Sequence, residues 1–281
     1  MDDEIHLFMI TSKNNSKVKE FRLLKQAKHR RARSQYLLEG VRLFEEALQQ
    51  EVAIRAILYS PRLEVNDRGV RLLSSARKKI PHAEWFYVSD EVLGSLGDTQ
   101  NHQGIMAVLG QRDWDWNDIW KRKGVILVLC ALQDPGNLGT LFRLAEAGGS
   151  AGLILGKGCV DPYNSKVVRA SMGSLFRIPF LVDQDLGRCL HTLRGQGYGI
   201  WASAVHGRIS LWEVDFSPAC AVLLGQEGAG IPPNLLQAID NILYIPMAAQ
   251  ADSLNVAMAG GVILYEALRQ KRKAASPAVS G

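Results

Sequence analysis

The chain has 281 residues, 47% of them hydrophobic and 22% charged, with four cysteines and a formal charge of +5. These figures exclude wholesale disorder, a collagen-like repeat and a disulfide-stapled miniprotein, and the length favours two domains of ordinary size. The charge is uneven: residues 1–12 carry −3, residues 13–33 hold nine basic side chains against Glu20 for +8, and residues 34–281 balance.

In chain order, the apolar spacing predicts helices over Lys17–Ala27 and Val41–Gln50, with Gly40 at the entry to the second. Ile54–Tyr59 reads as a strand, Arg68–Lys78 as a helix, Trp85–Val88 as a strand and Gly104–Leu109 as a closing apolar strand. Together they predict a small α/β domain over 1–110. Residues 111–123 (QRDWDWNDIWKRK) read as a linker that packs Trp114, Trp116 and Trp120 against its neighbours. The stretch 124–270 is expected to form a second, larger α/β domain. Its strands, Val125–Cys130, Gly152–Leu155, Gly199–Ala204 and Cys220–Leu224, are continuous apolar runs, the pattern of a parallel sheet covered on both faces. Helices are expected at Leu138–Ala147, Ser165–Ser174, Leu186–Arg194, Pro233–Ala238 and Leu254–Gln270. Residues 271–281 read as a flexible tail.

The first residues, MDDEIHLFMI, lack the basic and apolar regions of a secretory signal, and no window approaches the ~18 apolar residues of a membrane span. A soluble cytoplasmic protein is expected. Cys130, Cys159, Cys189 and Cys220 are far apart and form no C-x-x-C pair, so buried thiols are expected rather than disulfides. The histidines form no metal-binding pattern, and no metal site is expected. The basic run at 13–33 would attract a polyanion, nucleic acid first, although a solvated helix face is the commoner meaning of such a run.

A P-loop is absent. The glycines of GQGYG (195–199) follow a predicted helix and precede a strand, the reverse of a cofactor-binding loop, so they read as a helix end and turn. Three other segments each place Gly, Pro and polar residues directly after an apolar strand, the edge where open parallel sheets bind ligands. The first is DPGNLGTLFR (134–143), with Asn137 at a helix start and Arg143 one or two turns inside. The second is LGQEGAGIP (224–232), where three glycines surround Glu227 and allow a ligand to approach the backbone. The third is IPM (245–247) followed by SLNVA (253–257), with Ser253 as a candidate N-cap and Asn255 in the first turn.

In this order the three segments resemble the SpoU/TrmH family of the SPOUT class of S-adenosylmethionine-dependent RNA methyltransferases. The resemblance extends to DPYNSKVVRASMGS (161–174), and LLEGVRLFEEAL (37–48) looks like the family's substrate-binding module. Ala249 and Ala257 depart from the pattern where Gly and Ser are common. The resemblance implies a C-terminal SPOUT domain with a deep trefoil knot behind an N-terminal RNA-recognition domain. It implies S-adenosylmethionine as cofactor, held by Leu224, Gly225, Gly228, Ile245, Met247 and Leu254. It further implies methyl transfer to a ribose 2′-hydroxyl of RNA, ribosomal rather than transfer RNA. Arg143 would be the essential residue, with Asn137, Glu227, Ser253 and Asn255 around it, and a homodimer through the C-terminal domain would bring one protomer's Arg near its partner's cofactor. Lys25, Lys28, Arg30, Arg31 and Arg33 become candidate RNA-phosphate contacts, as does Arg169. The rival readings are a transfer-RNA enzyme, a base methyltransferase of another SPOUT branch, and a non-catalytic RNA-binding or ribosome-assembly factor on the same fold.

Overall fold

The computed structural model describes residues 8–65, 67–99, 101–226, 228–239, 241–248 and 253–275. The chain divides into two compact units, one drawn from Met1–Asp113 and Asp161–Phe176, the other from Trp114–Val160 and Arg177–Gly281.

The first unit runs α1 (Ser16–Leu23), α2 (Ala27–Arg33), β1 (Gln35–Glu39), α3 (Val41–Gln49), β2 (Ile54–Tyr59), α4 (Pro61–Glu64), α5 (Asp67–Lys79), β3 (Glu84–Tyr87), α6 (Asp90–Leu96) and β4 (Ile105–Gly110). Its sheet has the order β1-β4-β2-β3, with β4 antiparallel to β1 and β2 and β2 parallel to β3. One core lies where Val18, Phe21 and Leu24 meet Leu58, Leu93 and Met106. The expected helix over Lys17–Ala27 is interrupted after Leu23. The buried Arg30 side chain donates to the Leu24 and Lys25 carbonyls, taking acceptors that a continuing helix would have used for its own amides.

The second unit runs α7 (Trp116–Trp120), β5 (Ile126–Leu129), α8 (Pro135–Ala147) and β6 (Gly152–Gly156). The chain then contributes α9 (Ser165–Ala170) to the first unit before returning with β7 (Phe180–Gln184), α10 (Leu186–Gly195), β8 (Gly199–Ser203) and β9 (Ile209–Ser210). It ends with β10 (Cys220–Leu224), α11 (Pro233–Gln237), β11 (Asn241–Tyr244) and α12 (Val256–Ala275). Seven strands in the order β7-β6-β5-β10-β8-β11-β9 form one sheet, and every neighbouring pair is parallel. Every residue of β5, β6 and β10 is buried, as their unbroken apolar runs require. Helices α8 and α12 pack closely because Gly260 carries no Cβ; one there would stand 2.6 Å from Leu141 Cδ2.

Several expectations change. The segment 161–176, read as part of the second domain, packs with the first unit: Tyr163 lies 4.7 Å from the Tyr36 ring, and Asp161 accepts two bonds from Arg30. The linker is partly helical, since Asp115 and Asp118 form a capping box that starts α7. Trp116 and Trp120 stack 4.8 Å apart against the second unit's core. Helix α12 continues to Ala275, into the stretch expected to be a flexible tail. All four cysteines are free, and burial pushes the Cys130 and Cys220 thiols up to about 12. Among the described residues, no helix is long and apolar enough to cross a membrane.

Candidate functional site

Strands β8, β10 and β11 are parallel, so their carboxyl ends lie along one edge of the sheet. The segments that follow them, together with the start of α12, enclose a cavity of about 480 Å³. Its walls are Ser203–Val205 after β8, Leu224–Gln226 with Gly228, Gly230 and Ile231 after β10, and Ile245 and Met247 after β11, closed by Ser253–Val256 and Ala259. Leu224, Gly225, Gly228, Ile245, Met247 and Leu254, the six residues expected to hold the cofactor, all line it. Ser203, Ala204 and Val205 were missed as site residues, although they stand at the carboxyl end of an apolar strand, the same position that marked the other loops.

The glycine loop has a geometric reason for its composition. A Cβ on Gly225 would stand 2.3–2.6 Å from backbone atoms of Gly230 and Ile231, so only glycine lets the loop fold back on itself. The fold-back is fixed by the Gly230 amide donating to the Gln226 carbonyl at 3.0 Å. Gly228, at the tip, has φ +93°. Glu227 lies outside the described residues, as does Ala249.

Asn255 links the cavity to α8. Its Oδ1 accepts from the Ala257 and Met258 amides, at 2.9 and 3.3 Å, and so caps α12. Its Nδ2 donates to Asn137 Oδ1 at 3.0 Å. Asn255, rather than Ser253, therefore starts the helix, and Ser253 is left exposed on the cavity wall. Helix α8 begins at Pro135, earlier than expected, with Asp134 as its cap accepting from the Asn137 amide at 2.7 Å. Arg143 is exposed on α8 and is not among the residues lining the cavity.

The basic run is largely satisfied within the first unit. Arg30 is 4% exposed and forms a paired bond to Asp161, at 2.8 and 2.6 Å, so it is corrected from an RNA contact to a structural residue. Lys25 pairs with Asp98 at 3.0 Å and Arg33 with Glu20 at 2.9 Å, while Lys28 and Arg31 stay exposed. Arg169 is half-buried, 3.9 Å from both Glu39 and Asp98, so carboxylates already face the charge expected to meet phosphate. Burial pushes the Asp98 carboxyl up, but bonds from Ser165 and Lys25 and the nearby cations outweigh it, holding the group below its ordinary range.

Residues 124–265 match the SpoU rRNA Methylase family, and residues 15–107 match the MRM3-like substrate binding domain. The chain belongs to the SpoU rRNA methylase family. An uncharacterized tRNA/rRNA methyltransferase of Synechocystis is 38% identical over 95% of this chain and 96% of its own length. The 23S rRNA (guanosine(2553)-2′-O)-methyltransferase RlmP of Bacillus subtilis is 33% identical over 91% and 97%. The structure of an AdoMet-bound rRNA methyltransferase from Sinorhizobium meliloti superposes with a TM-score of 0.80 at 30% identity, covering 93% of this chain and 97% of that one. The SpoU fold thus accounts for the parallel sheet, the glycine loop and the placing of IPM and SLNVA on one edge.

The SpoU cavity suits S-adenosylmethionine by its donor set. Ile245, Met247 and Leu254 offer apolar surface for an adenine face, while the 224–230 loop exposes peptide groups that can pair with the edges of a base or ribose. None of the described lining residues is charged, so recognition there falls to backbone, hydroxyl, amide and apolar groups.

Proposed function

We propose that this chain transfers a methyl group from S-adenosylmethionine to a ribose 2′-hydroxyl in large-subunit ribosomal RNA. S-adenosylmethionine-dependent RNA methyl transfer follows from family membership; ribose in 23S RNA as the target rests on what relatives such as RlmP are named for. The observation that carries the site is the convergence of the glycine loop, IPM and SLNVA on one cavity that Asn255 joins to α8.

The bound donor supplies a methyl group on a positively charged sulfur. The ribose oxygen is a poor nucleophile until it is desolvated, aligned and relieved of its proton. A guanidinium has a pKa above ~12 and stays charged, so Arg143 serves by holding the adjacent phosphate and stabilising the developing alkoxide. Asn137, Asn255 and Ser253 orient that region; the family resemblance also assigns Glu227 a role there. The 124–265 segment is taken to carry the trefoil knot of SPOUT enzymes.

Arg143 does not line its own cavity, which supports a homodimer in which it serves the partner's donor site. A surface for that contact lies on α12, where Met258, Val262 and Tyr265 follow one another at helical spacing, with Met258 58% and Tyr265 52% exposed. A ribosomal-RNA substrate places the enzyme in the cytoplasm with assembling or mature ribosomes.

The test is labelled methyl transfer to total RNA from a strain lacking the protein, followed by alkaline hydrolysis. A 2′-O-methyl blocks cleavage at its own nucleotide, and one protected site in 23S RNA is expected. Protection in transfer RNA or a base methyl would replace the substrate assignment, and absence of donor binding by calorimetry would make the chain an RNA-binding factor. Arg143→Ala should abolish transfer while leaving donor affinity within about twofold, because it leaves the cavity lining intact.

A further inference from the structure

We propose that the exposed face of α5 is a phosphate-binding surface for the substrate RNA, an inference that rests on the reading of the chain as an RNA methyltransferase. Helix α5 buries Leu72, Leu73 and Ala76 and turns Arg68, Arg71, Ser75 and Lys78 outward, at the spacing of one helical stripe, with Lys79 beside them. From Arg68 to Lys78 the stripe runs about 15 Å along the helix axis.

Beyond Asp67, every charge on α5 is positive: Arg68, Arg71, Arg77, Lys78 and Lys79. On a helix, opposite charges three or four residues apart stabilise and like charges destabilise, so this unrelieved positive stripe costs local stability while offering a concentrated field to a polyanion. Among the described residues, only Arg68 of these cations is paired with a carboxylate, Glu45, at 3.0 and 2.6 Å. Arg71, Lys78 and Lys79 stand exposed with no acidic partner among the described residues. In the N-terminal basic run, by contrast, Lys17, Lys25, Arg30 and Arg33 are matched by acids, while Lys13, Lys19 and Lys28 stay exposed.

The carboxyl end of α5 is also tied to the sheet. The Arg77 guanidinium lies 5.5 Å from the Trp85 ring centroid and 5.9 Å from that of Tyr59, and it donates to Tyr59 Oη at 3.2 Å. A row of exposed cations along one helix suits the regularly spaced phosphates of a polynucleotide.

The experiment compares the full-length protein with the charge reversals R71E/K78E/K79E and, as a control on the other basic segment, K13E/K19E. Affinity for a transcribed 23S RNA fragment is titrated over a range of salt, with donor binding and thermal unfolding measured alongside. Loss of three contacts should weaken RNA binding at least tenfold and lower the slope of log affinity against log salt by about 2, at ~0.7 per phosphate. Donor affinity and the unfolding midpoint should hold, and K13E/K19E should change RNA affinity less than threefold. RNA affinity of R71E/K78E/K79E within twofold of the parent overturns the proposal, as does an equal loss in K13E/K19E. Failure of the parent to methylate any RNA would instead overturn the enzymatic reading, and the binding comparison would still decide the surface.

Discussion

At the scale of single residues, the cavity depends on atoms that are missing as much as on those present. Gly225 sits where a methyl group would enter the backbone of Gly230 and Ile231, so Gly225→Ala should open the loop and weaken donor binding by about tenfold or more, at the ~1–3 kcal/mol typical of overpacking. Calorimetry with S-adenosylmethionine reads this, and far-ultraviolet dichroism should show the fold kept. The value of glycine at 225 was legible in the sequence only as a cluster of three, because the identity of the colliding backbone is set by a loop that returns five residues later. Asn255 teaches the converse. Its place in the SLNVA motif marked it as a site residue, but its bond to Asn137, 118 positions earlier in the chain, exists only once α8 and α12 are packed.

At the scale of elements, strongly apolar strands were readable and half-polar ones were not. Ile54–Tyr59 and Cys220–Leu224 were found with their observed limits, because short segments dominated by apolar residues, interrupted only by the exposed Arg55, admit few other readings. Strands β1, β7, β9 and β11 were missed: each is only two to five residues long and mixes apolar with polar residues, so even the alternating burial of β1 is too short a signal in QYLLE to separate from a turn or helix. The break between α1 and α2 was hidden for another reason, since Arg30 looks like one more surface cation until its carbonyl and Asp161 partners are seen. Arg30→Ala should destabilise the first unit by about 3–5 kcal/mol, because it strands a carboxylate in a poorly solvated place. Urea unfolding followed by hydrogen exchange in α1, α2 and α9 would measure it. Arg30→Lys should recover only part of the loss, since an ammonium cannot reproduce the paired bonds.

For the whole molecule, the exposed apolar stripe on α12 and the outward-facing Arg143 make one joint prediction about assembly. Tyr265→Glu should convert a dimer into a monomer in sedimentation and abolish methyl transfer, while S-adenosylmethionine binding persists. A monomeric parent enzyme with full activity would contradict it. The sequence by itself pointed to the two-part α/β organisation, the parallel character of the larger sheet and the segments after β10 and β11 that line the cavity, because these follow from local hydrophobic pattern and from motifs of a few adjacent residues. Only the tertiary structure decided which cations are free. The excess charge of the N-terminal run was plain in the sequence, yet its acidic partners, Asp98, Asp161 and Glu84, lie 67 to 131 positions away, whereas α5 keeps Arg71, Lys78 and Lys79 open to solvent. Charge can be counted along a chain, but its availability depends on which distant carboxylates folding brings within a few ångströms, and pairing of that kind leaves no local trace.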